Sequence, residues 1–168
     1  ESIRKISVQA DGESYVLERQ TNGVVSLAGL GDGESTHMEA ANRLLGALRS
    51  LRAEKWMPAA TEWGDAFANA ATVQADVEGA TYRIQLGKAS PDKGEGRPIR
   101  IEIEVASGAT PEQQAVAAAA AKKSSGRTFL IPVYQADSLT LKRSDLIQQS
   151  PEPAPVETPE PPPVPSVE

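Results

Sequence analysis

Apolar and polar positions alternate over several short stretches of the chain, and each stretch ends at a turn dipeptide. Ile6, Val8 and Ala10 alternate with polar neighbours and run into Asp11-Gly12; Tyr15, Leu17 and Arg19 alternate against Val16 and Glu18 and run into Asn22-Gly23. A period of two is the strand signature, and Asp-Gly or Asn-Gly between two such runs is the strongest short-range hairpin signal, because both turn positions need positive φ. Val24 to Leu27 completes a three-stranded antiparallel meander.

The period then changes. After the loop Gly29 to Gly33, Thr36 with Glu39 three residues on has the form of a capping box, in which each side chain satisfies a free backbone donor of the first helical turn. Ala41, Leu44, Leu45, Leu48 and Leu51 follow at helical spacing. This predicts an amphipathic helix over Thr36 to Lys55, ended near Trp56 by Pro58. Trp63 and Phe67 are expected to cover one end of the core.

A second strand group repeats the first. Val73, Ala75 and Val77 alternate, Glu78-Gly79 turns, and Tyr82, Ile84 and Leu86 alternate again. Beyond a loop at Ser90 to Gly96, Ile99, Ile101, Ile103 and Val105 alternate with Arg100, Glu102 and Glu104, so one face is buried and the other wet. Thr110-Pro111-Glu112 opens a second helix over Ala115 to Lys123, rich in alanine and closed by Gly126. Phe129, Ile131 and Val133 give a last strand, and Ser144 to Gln149 a short terminal turn of helix. The reading is an α+β domain over residues 1–149: two antiparallel strand groups packed with one main amphipathic helix. Their order suggests an internal duplication.

Composition changes the picture at the end of the chain. Pro151 to Glu168 holds eight of the thirteen prolines, four glutamates and no basic residue. Such a segment cannot bury enough apolar surface to offset the entropy of ordering, so residues 150–168 read as a disordered proline-rich tail. It carries Pro162-x-x-Pro165 without a flanking arginine, which argues against an SH3-type ligand. The preceding body, roughly 150 residues, is long enough to fold around one core without disulfide or metal.

Charge and chemistry narrow the function classes. The net charge is −6 and the chain has no cysteine and one histidine. That balance disfavours nucleic acid, which needs a concentrated basic surface. Arg43, Arg49, Arg52 and Lys55 fall beside Glu39 and Glu54 on the main helix and read as a solvated face. Gly29-x-Gly31-x-Gly33 falls between a strand and a helix, but Glu34 follows where a dinucleotide loop would approach a pyrophosphate. His37 lacks a second histidine nearby. Ser124-Ser125-Gly126-Arg127 fits a plain helix-to-strand loop. The carboxylates Asp65, Asp76 and Glu78 are candidates for an acid/base pair, yet Asp76 and Glu78 have the strand parity of solvent-facing positions. No catalytic, cofactor-binding or metal-binding residue is assigned, and no cofactor is expected.

Tyr15-Val16-Leu17-Glu18-Arg19, the helix Asn42 to Glu54, and Tyr82-Arg83-Ile84-Gln85-Leu86-Gly87 carry a resemblance to the bacterial domain of unknown function 4340 family, over about residues 3–149. The resemblance implies an extracytoplasmic region behind an N-terminal membrane helix, associated with ABC-type transport systems, with no catalytic residues to carry over. The chain starts at Glu1 without methionine, consistent with an anchor upstream. The expectation is therefore a non-catalytic interaction or scaffold module of the cell envelope, periplasmic and membrane-anchored, with a protein partner. The competing expectations are an envelope glycan- or peptide-acting enzyme using Asp65 with Asp76 or Glu78, and a small-ligand-binding module.

Overall fold

The Asp11-Gly12 turn has positive φ at both residues, 50° and 82°, the type I′ geometry whose twist suits a tight hairpin. It joins β1 (Lys5–Ala10) to β2 (Glu13–Arg19) in a computed structural model that describes residues 3–58, 62–89 and 95–149. At the next turn Gly23 alone of the Asn22-Gly23 pair is positive, at 83°. There the Asn22 side chain accepts a bond from the Val24 N–H at 3.0 Å, and β3 (Val25–Leu27) follows.

β6 (Ala71–Val77), β7 (Ala80–Leu86) and β8 (Arg97–Val105) form the second meander. The two groups join because β1 pairs antiparallel with β6. With β9 (Thr128–Ile131) beside β8 and β5 (Lys55–Met57) outside it, they make one antiparallel sheet in the order β3-β2-β1-β6-β7-β8-β9-β5. β4 (Glu34–Thr36) pairs separately with β10 (Ile147–Gln149). Three helices complete the α+β architecture of the described residues: α1 (Met38–Arg49), α2 (Pro111–Ser124) and α3 (Val133–Leu139).

The pairing registers decide which face is buried. Leu27, Leu17, Ile6, Ala75, Tyr82 and Ile103 stand opposite one another in a row across six strands. α1 covers this face with Ala40, Ala41, Leu44, Leu45 and Ala47, and one apolar cluster runs from Ile3 to Leu146. Alternation sends Lys5, Gln74, Arg83 and Glu102 to the other face. There Trp63, Ala66 and Leu130 build a second, smaller cluster with Phe67 and Met57 at its edge. Trp63 and Phe67 thus cover an end of the sheet on the side away from the main core.

Several boundaries differ from the expected ones. The main helix ends at Arg49 rather than Lys55, where the Ser50 hydroxyl donates back to the Gly46 carbonyl at 2.7 Å. Lys55–Met57 instead pairs with Leu130, Phe129 and Thr128. Backbone pairing at the sheet's rim outweighs the helical propensity of this run, a weak prior that tertiary context overrides. Thr36 lies in β4 and caps nothing: its hydroxyl accepts from the Leu27 N–H at 2.9 Å, and His37 takes the cap position without a side-chain bond to the helix. The capping box belongs to α2, where Thr110 and Gln113 bond each other's backbone N–H. The last strand stops at Ile131. Pro132 caps α3, so Val133 is helical. The Ser144 to Gln149 stretch splits into a 3₁₀ turn, Arg143–Leu146, and β10. The proline-rich tail and most of the Ser90 to Gly96 loop lie outside the described residues.

Candidate functional site

The candidate residues do not converge. Asp76 sits near the end of β6, opposite Thr81 at the hairpin end of β7, and accepts from the Thr81 hydroxyl at 2.9 Å. Asp65 lies in the 3₁₀ turn Gly64–Phe67, whose Ala66 carbonyl takes the Lys88 N–H at 2.7 Å beyond the other end of β7. The length of that strand, roughly 20 Å, separates the two carboxylates, twice what an acid/base pair spans. Glu78 lies in the turn, exposed, 4.0 Å from Arg4. Among the described residues no group of three or more His, Asp or Glu side chains comes together in a metal-ligand arrangement.

The other signals resolve into structure. In the glycine loop the Glu34 carboxylate itself takes the Gly31 N–H, at 2.7 Å, so the backbone donor a phosphate would need is already engaged. The His37 ring bonds the Asp145 carbonyl at 3.1 Å and the His37 backbone N–H donates to the Leu146 carbonyl at 2.8 Å, tying the start of α1 to the 3₁₀ turn Arg143–Leu146. Ser124 is buried and its hydroxyl bonds the Ala120 and Ala121 carbonyls. Of the basic group read on the main helix, Arg43 and Arg49 are helical and exposed, while Arg52 and Lys55 lie beyond its end.

What the structure does assemble is a seam where β9 stops and α2 takes over beside β8. Gly87 N–H donates to the Pro98 carbonyl at 2.8 Å and Ala106 N–H to the Gly79 carbonyl at 3.0 Å. In an antiparallel ladder of that phase, the even-numbered residues 98 to 106 turn their backbone groups toward β7. Ile99, Ile101, Ile103 and Val105 therefore turn theirs away from it. β9 pairs with Arg97, Pro98 and Ile99, and among the described residues no strand pairs with β8 beyond that point. The outward N–H and C=O groups of Ile101, Ile103 and Val105 consequently face no strand, and α2 runs back alongside β8 here.

The edge opens into two connected hollows. A groove of about 530 Å³ separates Arg100–Ile103 from the end of α2 and the Ser125–Thr128 loop. It shares Ile101, Ile103 and Ser124 with a cleft of about 440 Å³ walled by Leu48 and Leu51 and floored by Ile84. The cleft stays open because α2 brings little bulk: only Ala117 and Ser124 of this helix are buried. On the opposite face of the same edge, Arg83 lies 3.7 Å from Glu102 and 4.0 Å from Glu104. The chain's sequence contained one signal for this edge, the length mismatch between the long Ile99 to Val105 alternation and the short apolar run around Phe129.

Comparison of the chain with family models, curated proteins and solved structures finds no match. Among the described residues no helix is long and apolar enough to cross a membrane.

Proposed function

We propose that the chain is a non-catalytic interaction module of the bacterial cell envelope that engages a protein partner at the apolar cleft beside β8. The apolar lining of that cleft, Leu48, Leu51, Ile84, Ile101 and Ile103, carries this reading. The resemblance described above supplies the setting: display outside the cytoplasm behind an N-terminal membrane anchor, with a component of an ABC-type transport system as the candidate partner. A small apolar ligand in the cleft is the second reading, favoured by its volume, which falls in the range of roughly 300–1,000 Å³ of small-molecule sites.

The test is photo-crosslinking of the full-length protein in native membranes, with p-benzoylphenylalanine replacing Val105. Val24, equally exposed at 46% but at the far end of the sheet, is the control position. A discrete protein adduct from Val105 and none from Val24 is the expected result. Equal adducts from both positions, or none from either, overturn the reading.

A further inference from the structure

Building on that reading of the cleft, we infer the form and chemistry of the partner's docking element: an α-helix that lays an apolar stripe into the cleft and sets a carboxylate against Arg49. The form follows from the floor. Ala75, Ile84, Ile101 and Ile103 come from β6, β7 and β8, and they present the face of the sheet, not an edge. β6 and β7 are paired on both sides, and α2 lies alongside β8 where β9 stops. An extended segment laid on such a floor meets side chains alone. Its N–H and C=O groups would be buried without partners, each at a cost comparable to a lost hydrogen bond. A helix satisfies its own backbone and turns every third or fourth side chain to one face.

The walls fit the same occupant. The cleft lies between Leu48, in the last turn of α1, and Ser124, the last residue of α2. It is a vacancy in the helical layer over the sheet, and a helix from a partner completes that layer with apolar anchors spaced i, i+3 or i+4, and i+7.

The charge follows from the rim. Among the described residues that line the cleft, Arg49 alone is charged. It is exposed and forms no ion pair with another described residue. A partner that covers the cleft takes water from this guanidinium, and a charge removed from water requires a paired, hydrogen-bonded counter-charge. A carboxylate answers it with two parallel N–H···O bonds, so an aspartate or glutamate stands beside the apolar stripe.

Two occupants from the chain itself fit worse. Pro151 to Glu168 has eight prolines, which break a helix interior. The α2 helix of a second copy exposes one large apolar residue, Val116, and ends on Lys122 and Lys123, which would repel Arg49.

The probe is acetylated, amidated Ala-Gln-Ala-Leu-Glu-Ala-Leu-Leu-Gln-Ala-Leu-Ala, held helical by a hydrocarbon staple between its second and sixth residues, opposite the leucines. Its counterparts carry lysine in place of the glutamate, or the same residues in scrambled order. Each is titrated into the isotopically labelled chain of residues 1–168. Shifts at Leu48, Leu51, Ile84, Ile101 and Ile103, with the lysine helix about tenfold weaker, are expected. Arg49→Glu should invert that preference, and Ile103→Lys should abolish binding of every helix. Should Ile103→Lys misfold, the exposed Arg49→Glu decides alone. Equal binding of the glutamate and lysine helices, equal binding of the scrambled one, or shifts mapping outside the cleft overturns the inference. So does binding of decanoate at these residues without binding of any helix, or a crosslink from Val105 to the tail or to a second copy. If no helix binds but Val105 still captures another protein, the helix chemistry is wrong and the interaction module stands. If the crosslink fails as well, both fall.

Discussion

Tyr15 stands opposite Val8 in the first hairpin with 6% of its surface exposed. Its hydroxyl is buried and finds no hydrogen-bond partner among the described residues. Burial first, and the Asp145 carboxylate second, push its phenol well above the ordinary value of 10. The folded state therefore keeps the proton at pH values where an unfolded tyrosine loses it. That contribution to stability is intact below pH 10 and drains away as pH rises beyond it, by up to about 1.4 kcal/mol per pH unit. Tyr15→Phe should be no less stable than the parent at pH 7, since an unsatisfied buried hydroxyl costs more than it returns. Urea melts at pH 8 and pH 11 should show a smaller alkaline loss for the variant. A parallel loss in both proteins would mean that Tyr15 is not the group responsible.

At the scale of elements, the two long helices are held by different means. α1 is anchored by Leu44 and Leu45 pressed into the core, 0% and 5% exposed. α2 buries almost nothing and approaches closely at its start, where a Cβ on Gly79 would lie 2.7 Å from the Gln113 side chain. Its stability leans on alanine propensity and on the Thr110–Gln113 box. Thr110→Ala should therefore cost about 1 kcal/mol and fray the first turn of α2. Thr36→Ala should leave the start of α1 protected and instead release the Leu27 amide, whose acceptor is lost. Residue-resolved hydrogen exchange distinguishes the two; equal fraying of α1 in Thr36→Ala would contradict the assignment.

For the whole molecule, the sheet links both halves of the sequence through the β1–β6 pairing, so the core is common to them. Residues Pro151 to Glu168 offer few donors and no apolar cluster to such a core. Their deletion should leave the melting temperature within about a degree or two, as expected for a segment that buries little. A drop of several degrees, with protection lost over Phe129 to Tyr134, would make the tail a ligand of its own sheet.

Local chemistry alone determined the α+β class, both meanders, the Asp11-Gly12 turn and the buried stripe of α1, because period and turn type are properties of neighbouring residues. The end of α1, the strand at Lys55–Met57 and the helix after Pro132 were decided by tertiary structure. Each depends on a partner distant in sequence: Leu51 to Lys55 reads as helix until β9 offers Lys55–Met57 backbone bonds. The same holds for the candidate site. The alternation of Ile99 to Val105 announced a strand with one wet face. That α2 replaces β9 beside it from Ile101 onward follows only from where β9 stops, and that a cleft adjoins it follows from how little an alanine helix can fill.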